Sequence, residues 1–243
     1  MKNDLKDKVL ILTGGGGGIG RAIAERAALL GLKVALTGGK NKEKLEETYK
    51  IVSRHSPCLM LPGDLTDLAF LTRSAEYVAE TWGAVDILIN NAGAAAGTPF
   101  DKVTPEEFDE IMTINTKVPF FLTQKCLPFL KRSSAATVIN IASVTGHLGY
   151  AGQSVYSASK HALLGMTKSI AAEYYKEQIR VHAISPGGVY TDMVKVTRPD
   201  LTSEGMILPE DIADIVEFLL LHRSNAVIDE ILVHRNGKEP FLV

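Results

Sequence analysis

The strongest constraint on the fold is an alternation of short apolar segments with longer segments of helical composition along the whole chain. The first apolar segment, KVLILT, is continuously apolar between its ends, as expected of a strand buried on both faces of a parallel sheet. The predicted strands are Lys8–Thr13, Lys33–Thr37, CLMLPGD ending at Asp64, VDILINNAG running into a loop, ATVINIAS, IRVHAISPGG and EILV.

Helical segments separate these strands. Helices are predicted for Ile19–Leu30, Asn41–Arg54, Thr66–Trp82, a segment from Thr104 towards Cys126, Gln153–Tyr175 and Pro209–Leu221. Thr104, Pro105 and Glu107 form a capping box with proline at the first helical position. Strand followed by helix, repeated, predicts an α/β fold: a doubly wound parallel sheet of the Rossmann type with helices on both faces. Because no linker or repeat interrupts the pattern, residues 1–243 are expected to form one domain.

Composition excludes several classes of function. The formal net charge is -2, which argues against bulk nucleic-acid binding. The chain has two cysteines and six scattered histidines without metal-ligand spacing, so neither a disulfide framework nor a metal site is predicted. The charged N-terminus lacks a signal-peptide core, and no apolar run approaches the roughly 20 residues that span a bilayer. A soluble, cytoplasmic protein without membrane contacts is expected.

Five consecutive glycines, Gly14–Gly18, follow the first strand and precede the first helix. A flexible linker would lack these flanking elements. At a strand-to-helix turn, glycine lets the backbone approach a pyrophosphate, and the helix N-terminus supplies amides and positive potential. Two registers fit: Gly15, Gly17 and Gly20 match G-x-G-x-x-G, and Gly14, Gly18 and Gly20 match T-G-x-x-x-G-x-G. A P-loop is disfavoured because no Gly-Lys-Ser/Thr follows.

The end of the second strand bears on the choice of nucleotide. An NAD site places an acid there for the ribose 2′-hydroxyl, but Gly38 and Gly39 occupy this place and Lys40 and Lys42 follow. A lysine attracts a 2′-phosphate that a carboxylate would repel. The residues therefore favour NADP(H) over NAD(H), although solvated lysines opening a charged helix are the simpler alternative.

The stretch VYSASKHAL carries a candidate acid/base. Tyr156 and Lys160 are four residues apart and share one face of a helix. A general acid works best near ambient pH, and a neighbouring ammonium stabilises a phenolate, so we expect Lys160 to lower the pKa of Tyr156. The alternative is a surface Tyr–Lys pair, which is common by chance.

Further polar residues end neighbouring strands. Ser143 follows the fifth strand at the edge where ligands bind in open α/β sheets, and its hydroxyl is suited to hold a substrate oxygen or to cap a turn. Asn90–Gly93 end the fourth strand in the same layer. Asn115 is polar within an otherwise apolar helical face, where a structural hydrogen bond is equally reasonable.

Taken in order, these motifs resemble those of the short-chain dehydrogenases/reductases over essentially the whole chain. The motifs are Thr13–Gly20, Asp64, Asn90–Gly93, Asn115, Ser143, Tyr156-x-x-x-Lys160 and Pro186-Gly187. The resemblance implies that Tyr156 is the acid/base, that Ser143 positions the reacting oxygen, and that Lys160 binds the nicotinamide ribose and tunes Tyr156. It further implies that Asn115 holds a water near Lys160. Implied cofactor contacts are Gly14, Gly18, Ile19, Gly20, Lys40, Asp64, Leu65, Asn91, Ala92, Gly93, Tyr156, Lys160, Pro186, Gly187, Val189 and Thr191.

Within that family the chain looks nearest to the 3-oxoacyl-acyl-carrier-protein reductases, with departures. Gly17 stands where NADP-preferring relatives often have a basic residue, the segment after Met193 is short for a substrate lid, and the C-terminus lacks the usual Gly-Gly. A smaller carbonyl or alcohol is therefore as plausible a substrate as an acyl thioester. The resemblance also implies a homo-oligomer, either a dimer or a tetramer.

Two hypotheses from different classes follow. The first is an NADP(H)-dependent oxidoreductase that transfers a hydride between nicotinamide and a ketone or secondary alcohol, with Tyr156 as general acid/base. The second is a non-catalytic nucleotide-binding redox sensor on the same fold. The presence of Ser143, Tyr156 and Lys160 together favours the enzyme, because a sensor needs no acid/base.

Overall fold

Seven parallel strands form one sheet in the order β3-β2-β1-β4-β5-β6-β7. A computed structural model describes residues 4–39, 41–192, 194 and 202–238. The strands are β1 Val9–Thr13, β2 Lys33–Gly38, β3 Cys58–Pro62, β4 Ile87–Asn90, β5 Thr137–Ile141, β6 Arg180–Pro186 and β7 Glu230–Val233. The predicted α/β fold is confirmed.

The helices lie between the strands, largely as predicted. They are α1 Gly18–Leu29, α2 Lys42–Val52, α3 Leu68–Trp82, α4 Pro105–Met112, α5 Val118–Leu130, α6 Ser154–Tyr174 and α7 Pro209–Leu221. The predicted capping threonine is confirmed, since Thr104 Oγ1 accepts a hydrogen bond of 3.2 Å from the Glu107 amide. The single helix expected from Thr104 towards Cys126 is wrong in one respect: a π-helical turn, Thr113–Lys117, separates α4 from α5.

Apolar residues of the central strand point alternately to the two faces of the sheet. Leu10 and Leu12 of β1 pack in a cluster with α1, α2 and α7, whereas Val9 and Ile11 pack with α3 and α5. Successive strand side chains point to opposite faces, so a continuously apolar strand is what two covering helix layers require.

The strand order reverses between β1 and β4, which lie side by side at the centre of the sheet. The connection after β1 leads to β2 on one side, and the connection after β4 leads to β5 on the other. A crevice opens where two such connections diverge, at the carboxyl ends of the strands. The topology therefore specifies where a ligand site is expected.

A chain of buried amide hydrogen bonds ties this edge to helix α6. Asn90 and Asn140 are register partners on β4 and β5, and Asn90 Nδ2 donates to Asn140 Oδ1 at 2.8 Å. Asn140 Nδ2 in turn donates to Thr167 Oγ1 of α6 at 2.8 Å, and Asn90 Nδ2 also lies 3.2 Å from Thr123 Oγ1 of α5. These bonds position two helices relative to the strand ends.

We expect Asn140→Leu to lower the free energy of unfolding by about 1–3 kcal/mol, because it removes both the acceptor of the 2.8 Å bond from Asn90 and the donor to Thr167 in an apolar interior. Urea unfolding followed by circular dichroism measures the change. Thr72→Val is the control, since the exposed Thr72 hydroxyl bonds only within its own helix. Equal stability of the two variants would contradict a structural role for the amide chain.

Candidate active site

An open cleft of about 2060 Å³ lies at the carboxyl ends of the strands, as the topology requires. Its lining includes the turns that follow β1, β2, β3, β4, β5 and β6. All the site residues predicted from the sequence that the structure describes line this cleft, except Asn115. Lys40, also predicted, lies outside the described residues.

The glycine turn after β1 is shaped by close backbone contacts. Gly14 has φ +68°, a left-handed conformation, and a Cβ on Gly20 would lie 2.2 Å from the Gly14 carbonyl oxygen. A Cβ on Gly18 would lie 3.1 Å from Thr191 Cγ2, whereas one on Gly17 would meet only Gly14 O at 3.5 Å. Gly14 and Gly18 of the T-G-x-x-x-G-x-G register are constrained in this way, whereas Gly17 of the G-x-G-x-x-G register is not, so these contacts favour the former register. Gly15 and Gly16 are also closely packed, against Leu36 and Leu45.

Asn91 braces this turn from the end of β4. Its Nδ2 donates to the carbonyl oxygens of Thr13 at 3.0 Å and of Gly14 at 3.2 Å. Thr13 Oγ1 accepts from the amides of both Asn91 and Ala92, each at 3.0 Å. Helix α1 begins at Gly18, one residue earlier than predicted, and no side chain caps its N-terminus. Its first amides are therefore directed to the cleft, where they are suited to bind an anion.

The turns after β2 and β3 form one end of the cleft. Gly38 and Gly39 line this end of the cleft, at the positions where an NAD site would have the acid that binds the ribose 2′-hydroxyl. Asp64 lies nearby, with its Oδ1 accepting from the amide and the hydroxyl of Thr66, each at 2.8 Å, and Leu65 beside it is buried.

Lys44 is a cleft residue that the sequence reasoning did not single out. It lies in the first turn of α2 and forms an ion pair with Asp192, which follows β6. The carboxylate of Asp192 raises the pKa of Lys44, chiefly through a hydrogen bond. The sequence could have indicated Lys44, because it is the third lysine in the stretch KNKEK and the first turn of the predicted helix follows a strand end.

Ser143 and Tyr156 approach each other across the cleft wall. Ser143 follows β5 and caps a short 3₁₀ turn, Val144–Gly146, by accepting from the Thr145 amide at 3.2 Å. Tyr156 lies in the first turn of α6. Burial raises the pKa of Tyr156, and a side-chain hydrogen bond with Ser143 opposes that rise. The lowering of this pKa expected from Lys160 is therefore wrong, since desolvation dominates.

Lys160 is one helical turn beyond Tyr156 and is 4% exposed. Its Nζ donates to the Ile141 carbonyl at 2.8 Å and lies 5.7 Å from the centre of the Tyr156 ring. Burial lowers the pKa of Lys160 to about 8. The group is therefore still mainly protonated at pH 7, and a surface Tyr–Lys pair, the alternative considered above, does not describe it.

Asn115 lies in the π-helical turn behind the cleft and is fully buried. Its side chain exchanges two hydrogen bonds of 2.8 Å with the main chain of Ala94 and donates to Ser159 Oγ at 2.9 Å. These bonds match the structural alternative for this residue. They connect the loop after β4 to α6, three residues from Tyr156.

The segment after β6 completes the wall. The Gly187 amide donates to the Val233 carbonyl at 2.8 Å, and Val189 pairs with Ile207 through an isolated bridge. Pro186, Gly187, Val189 and Thr191 all line the cleft, and Thr191 packs against the glycine turn. Among the described residues no group of three or more His, Cys, Asp or Glu is arranged to hold a metal ion.

Comparisons with known proteins identify the family of this chain. The model of the short chain dehydrogenase family matches residues 8–202. A 3alpha-hydroxysteroid dehydrogenase of Mediterraneibacter gnavus is 35% identical over 94% of this chain and 95% of its own. Levodione reductase of Leifsonia aquatica is 35% identical over 82% of this chain and 75% of its own.

A solved structure supports the same assignment. A metagenomic short-chain oxidoreductase in complex with NADP superposes with a TM-score of 0.82, at 31% identity over 97% of this chain and 100% of the other. None of the described helices has both the length and the apolar character needed to cross a membrane. The chain belongs to the short-chain dehydrogenase/reductase family of NAD(P)-binding oxidoreductases.

Proposed function

We propose that the protein is an NADP(H)-dependent oxidoreductase that interconverts a ketone and a secondary alcohol, with Tyr156 as general acid and base. The supporting observation is the convergence of Ser143, Tyr156 and Lys160 on one wall of the cleft, beside the glycine turn. A 3-oxoacyl thioester is one member of this substrate class. The names of the hydroxysteroid dehydrogenase and levodione reductase relatives denote alcohol oxidation and carbonyl reduction.

Tyr156 is suited to donate a proton to a carbonyl oxygen. Because burial raises its pKa, the phenol is protonated at neutral pH. The Ser143 hydroxyl, which lines the same wall of the cleft as Tyr156, is suited to orient the same substrate oxygen. In the reverse direction the Tyr156 phenolate takes the proton from an alcohol, which requires stabilisation of its negative charge.

Lys160 supplies that stabilisation. Its ammonium is held near the Tyr156 ring by the Ile141 carbonyl, in a buried setting where charge–charge attraction is poorly screened. The raised pKa of Tyr156 and the proposed phenolate are compatible, since the phenolate forms only during turnover. For Asn115 we propose support of this region, together with the water near Lys160 that the family resemblance implies.

The glycine turn fits a dinucleotide. The close approach of Gly20 to the Gly14 carbonyl and the uncapped N-terminus of α1 leave space and amides for a pyrophosphate. The residues proposed to hold the cofactor are Gly14, Gly18, Ile19, Gly20, Asp64, Leu65, Asn91, Ala92, Gly93, Tyr156, Lys160, Pro186, Gly187, Val189 and Thr191. When bound, the nicotinamide supplies or accepts the hydride.

The preference for NADP(H) rests on the end of β2. No carboxylate stands at Gly38 or Gly39 to bind a ribose 2′-hydroxyl, and Lys44 borders the same end of the cleft. The predicted role of Lys40 belongs to this proposal as well. The metagenomic relative was solved in complex with NADP.

The redox-sensor alternative and the assembly state are tested separately. A sensor would bind nucleotide but oxidise no NADPH with any carbonyl of a broad panel. The dimer or tetramer implied by resemblance stays a prediction, as does the cytoplasmic location; sedimentation velocity measures the former.

We expect Gly20→Ala to weaken NADPH binding by about tenfold or more, because the added Cβ forces the Gly14 carbonyl away and opens the turn. Titration of the nucleotide fluorescence measures the dissociation constant. Gly17→Ala is the matched control, since a Cβ there meets only one atom at an ordinary distance. Equal binding by the two variants would remove the glycine turn from the cofactor site.

A carboxylate at the end of β2 should reverse the nucleotide preference. We expect Gly38→Asp to weaken NADPH binding by about tenfold with little change for NADH, through repulsion of the 2′-phosphate. Gly38 tolerates a side chain, since a Cβ there would lie 3.8 Å from its nearest neighbour, and Gly38→Ala controls for bulk. Parallel losses for both nucleotides would contradict the assignment of this end to the adenosine ribose.

We expect Tyr156→Phe to lower kcat for ketone reduction by about 100-fold or more while NADPH binding is retained, because the ring remains and only the proton donor is removed. Oxidation of NADPH with a panel of ketones is followed by absorbance. Tyr150→Phe removes a hydroxyl from another cleft tyrosine and should keep turnover. Undiminished turnover in Tyr156→Phe would overturn the proposed mechanism.

A further inference from the structure

An arginine lines the cleft beside the segment that follows β6. Arg235 comes two residues after β7, and a Cβ placed on Gly188 would lie 3.5 Å from Arg235 Cδ and 3.8 Å from its Nε. Arg235 Nη1 lies 3.2 Å from Met206 Sδ, and Met206 is 8% exposed. The arginine side chain is thereby packed against Gly188 and Met206 while it borders the cleft.

The guanidinium of Arg235 carries several N–H donors, but few acceptors of the described residues bind them. Among residues 4–39, 41–192, 194 and 202–238, no carboxylate forms an ion pair with it, and its one hydrogen bond there is to the thioether, a weak acceptor. A guanidinium has five N–H donors in a planar fork that matches a carboxylate. Most of its donors therefore remain available to a ligand.

The surrounding charges reinforce this positive end. His234 and Lys238, from the same segment, also line the cleft. The acidic residues that line it are Asp64, Glu110 and Asp192. Asp192 pairs with Lys44, Asp64 is bonded to Thr66, and Glu110, on α4, is engaged in a contact of its own.

The position of Arg235 relates it to the reacting end of the cleft. Gly188, beside the arginine, immediately precedes Val189, one of the residues proposed to hold the cofactor, and the family resemblance implies that Val189 contacts the nicotinamide carboxamide. Arg235 therefore borders the segment assigned to the nicotinamide end of the cofactor. An anionic group bound there would belong to the substrate more naturally than to the adenosine end of a cofactor.

We propose that Arg235 binds a carboxylate of the substrate, so that the ketones this enzyme reduces carry a carboxylate separated from the carbonyl by an apolar chain. The inference rests on the proposed function, whose site supplies the carbonyl end. Met206 provides apolar surface beside the guanidinium, and the guanidinium provides paired, charge-assisted hydrogen bonds.

A kinetic test compares methyl-ketone carboxylic acids of increasing chain length with the methyl ester of each, using NADPH oxidation. At the best chain length, kcat/KM for the acid should exceed that for the ester by about tenfold or more. Arg235→Gln should bring this ratio close to one, and Arg235→Lys should keep part of it. Arg54→Gln removes the same charge from an exposed position outside the cleft and should keep the full ratio.

A binding test needs no turnover and therefore separates this inference from the proposed function. Hexanoate should raise the melting temperature of the NADPH complex more than hexanamide does, and Arg235→Gln should abolish the difference. Ketone turnover with equal rates for acids and esters would overturn the carboxylate site and leave the oxidoreductase intact. Absence of turnover with an Arg235-dependent hexanoate shift would overturn the oxidoreductase and leave the anion site.

The same variants test whether the anion that Arg235 binds is a phosphate of the cofactor or a carboxylate of the substrate. If Arg235→Gln weakens NADPH binding and leaves the acid-to-ester ratio unchanged, the arginine serves the cofactor and the inference is overturned. Retained NADPH affinity together with a lost ratio is the result expected.

Discussion

The hydrogen bonds between Asn91 and the main chain of Thr13 and Gly14 are the contact on which the rest of the site depends. They join the turn after β1 to the turn after β4, at the centre of the sheet. The bonds are made by a side chain and not by hydrogen bonds between strands. The left-handed Gly14 and the close approach of Gly20 are then held against relaxation. Pre-organisation of this kind lowers the ordering cost when a nucleotide binds.

Helix α6 is likewise held in place by a few buried hydrogen bonds. This helix is attached to the sheet by Asn140 and to the loop after β4 by Asn115, and both attachments are buried hydrogen bonds between amides, hydroxyls and main chain. Lys160 adds a third through Ile141, at the cost of burying an ammonium, which is why its pKa falls to about 8. Tyr156 thus projects from a helix that is held at Ser159, Lys160 and Thr167.

Much of this arrangement could be predicted from residue order. The apolar strands, the Thr104 cap and the position of Ser143 at a strand end follow from periodicity and from rules of local geometry. Choosing between the glycine registers required the left-handed backbone of Gly14 and the open surroundings of Gly17, which are not visible in a run of identical residues.

Other features depend on contacts between distant segments, and the sequence does not contain them locally. The direction of the pKa shift of Tyr156 depends on burial, which outweighs the opposing influence of Ser143. Lys44 and Arg235 acquire significance only because Asp192 and Gly188 are folded against them. The cofactor contact predicted for Lys40 stays a prediction, because this residue lies outside the described residues.

The π-helical turn at Thr113–Lys117 has a consequence for helix phase. Each residue of an α-helix turns the chain by about 100°, so one residue added to a turn rotates everything beyond it relative to what came before. Here α4 packs against α6 and α5 packs against α3. An uninterrupted helix would present one continuous packing face along its length. The π-helical turn rotates the packing face of α5 relative to that of α4. As a result, α4 can pack against α6, which carries Tyr156, while α5 packs against α3 in the layer that covers the sheet.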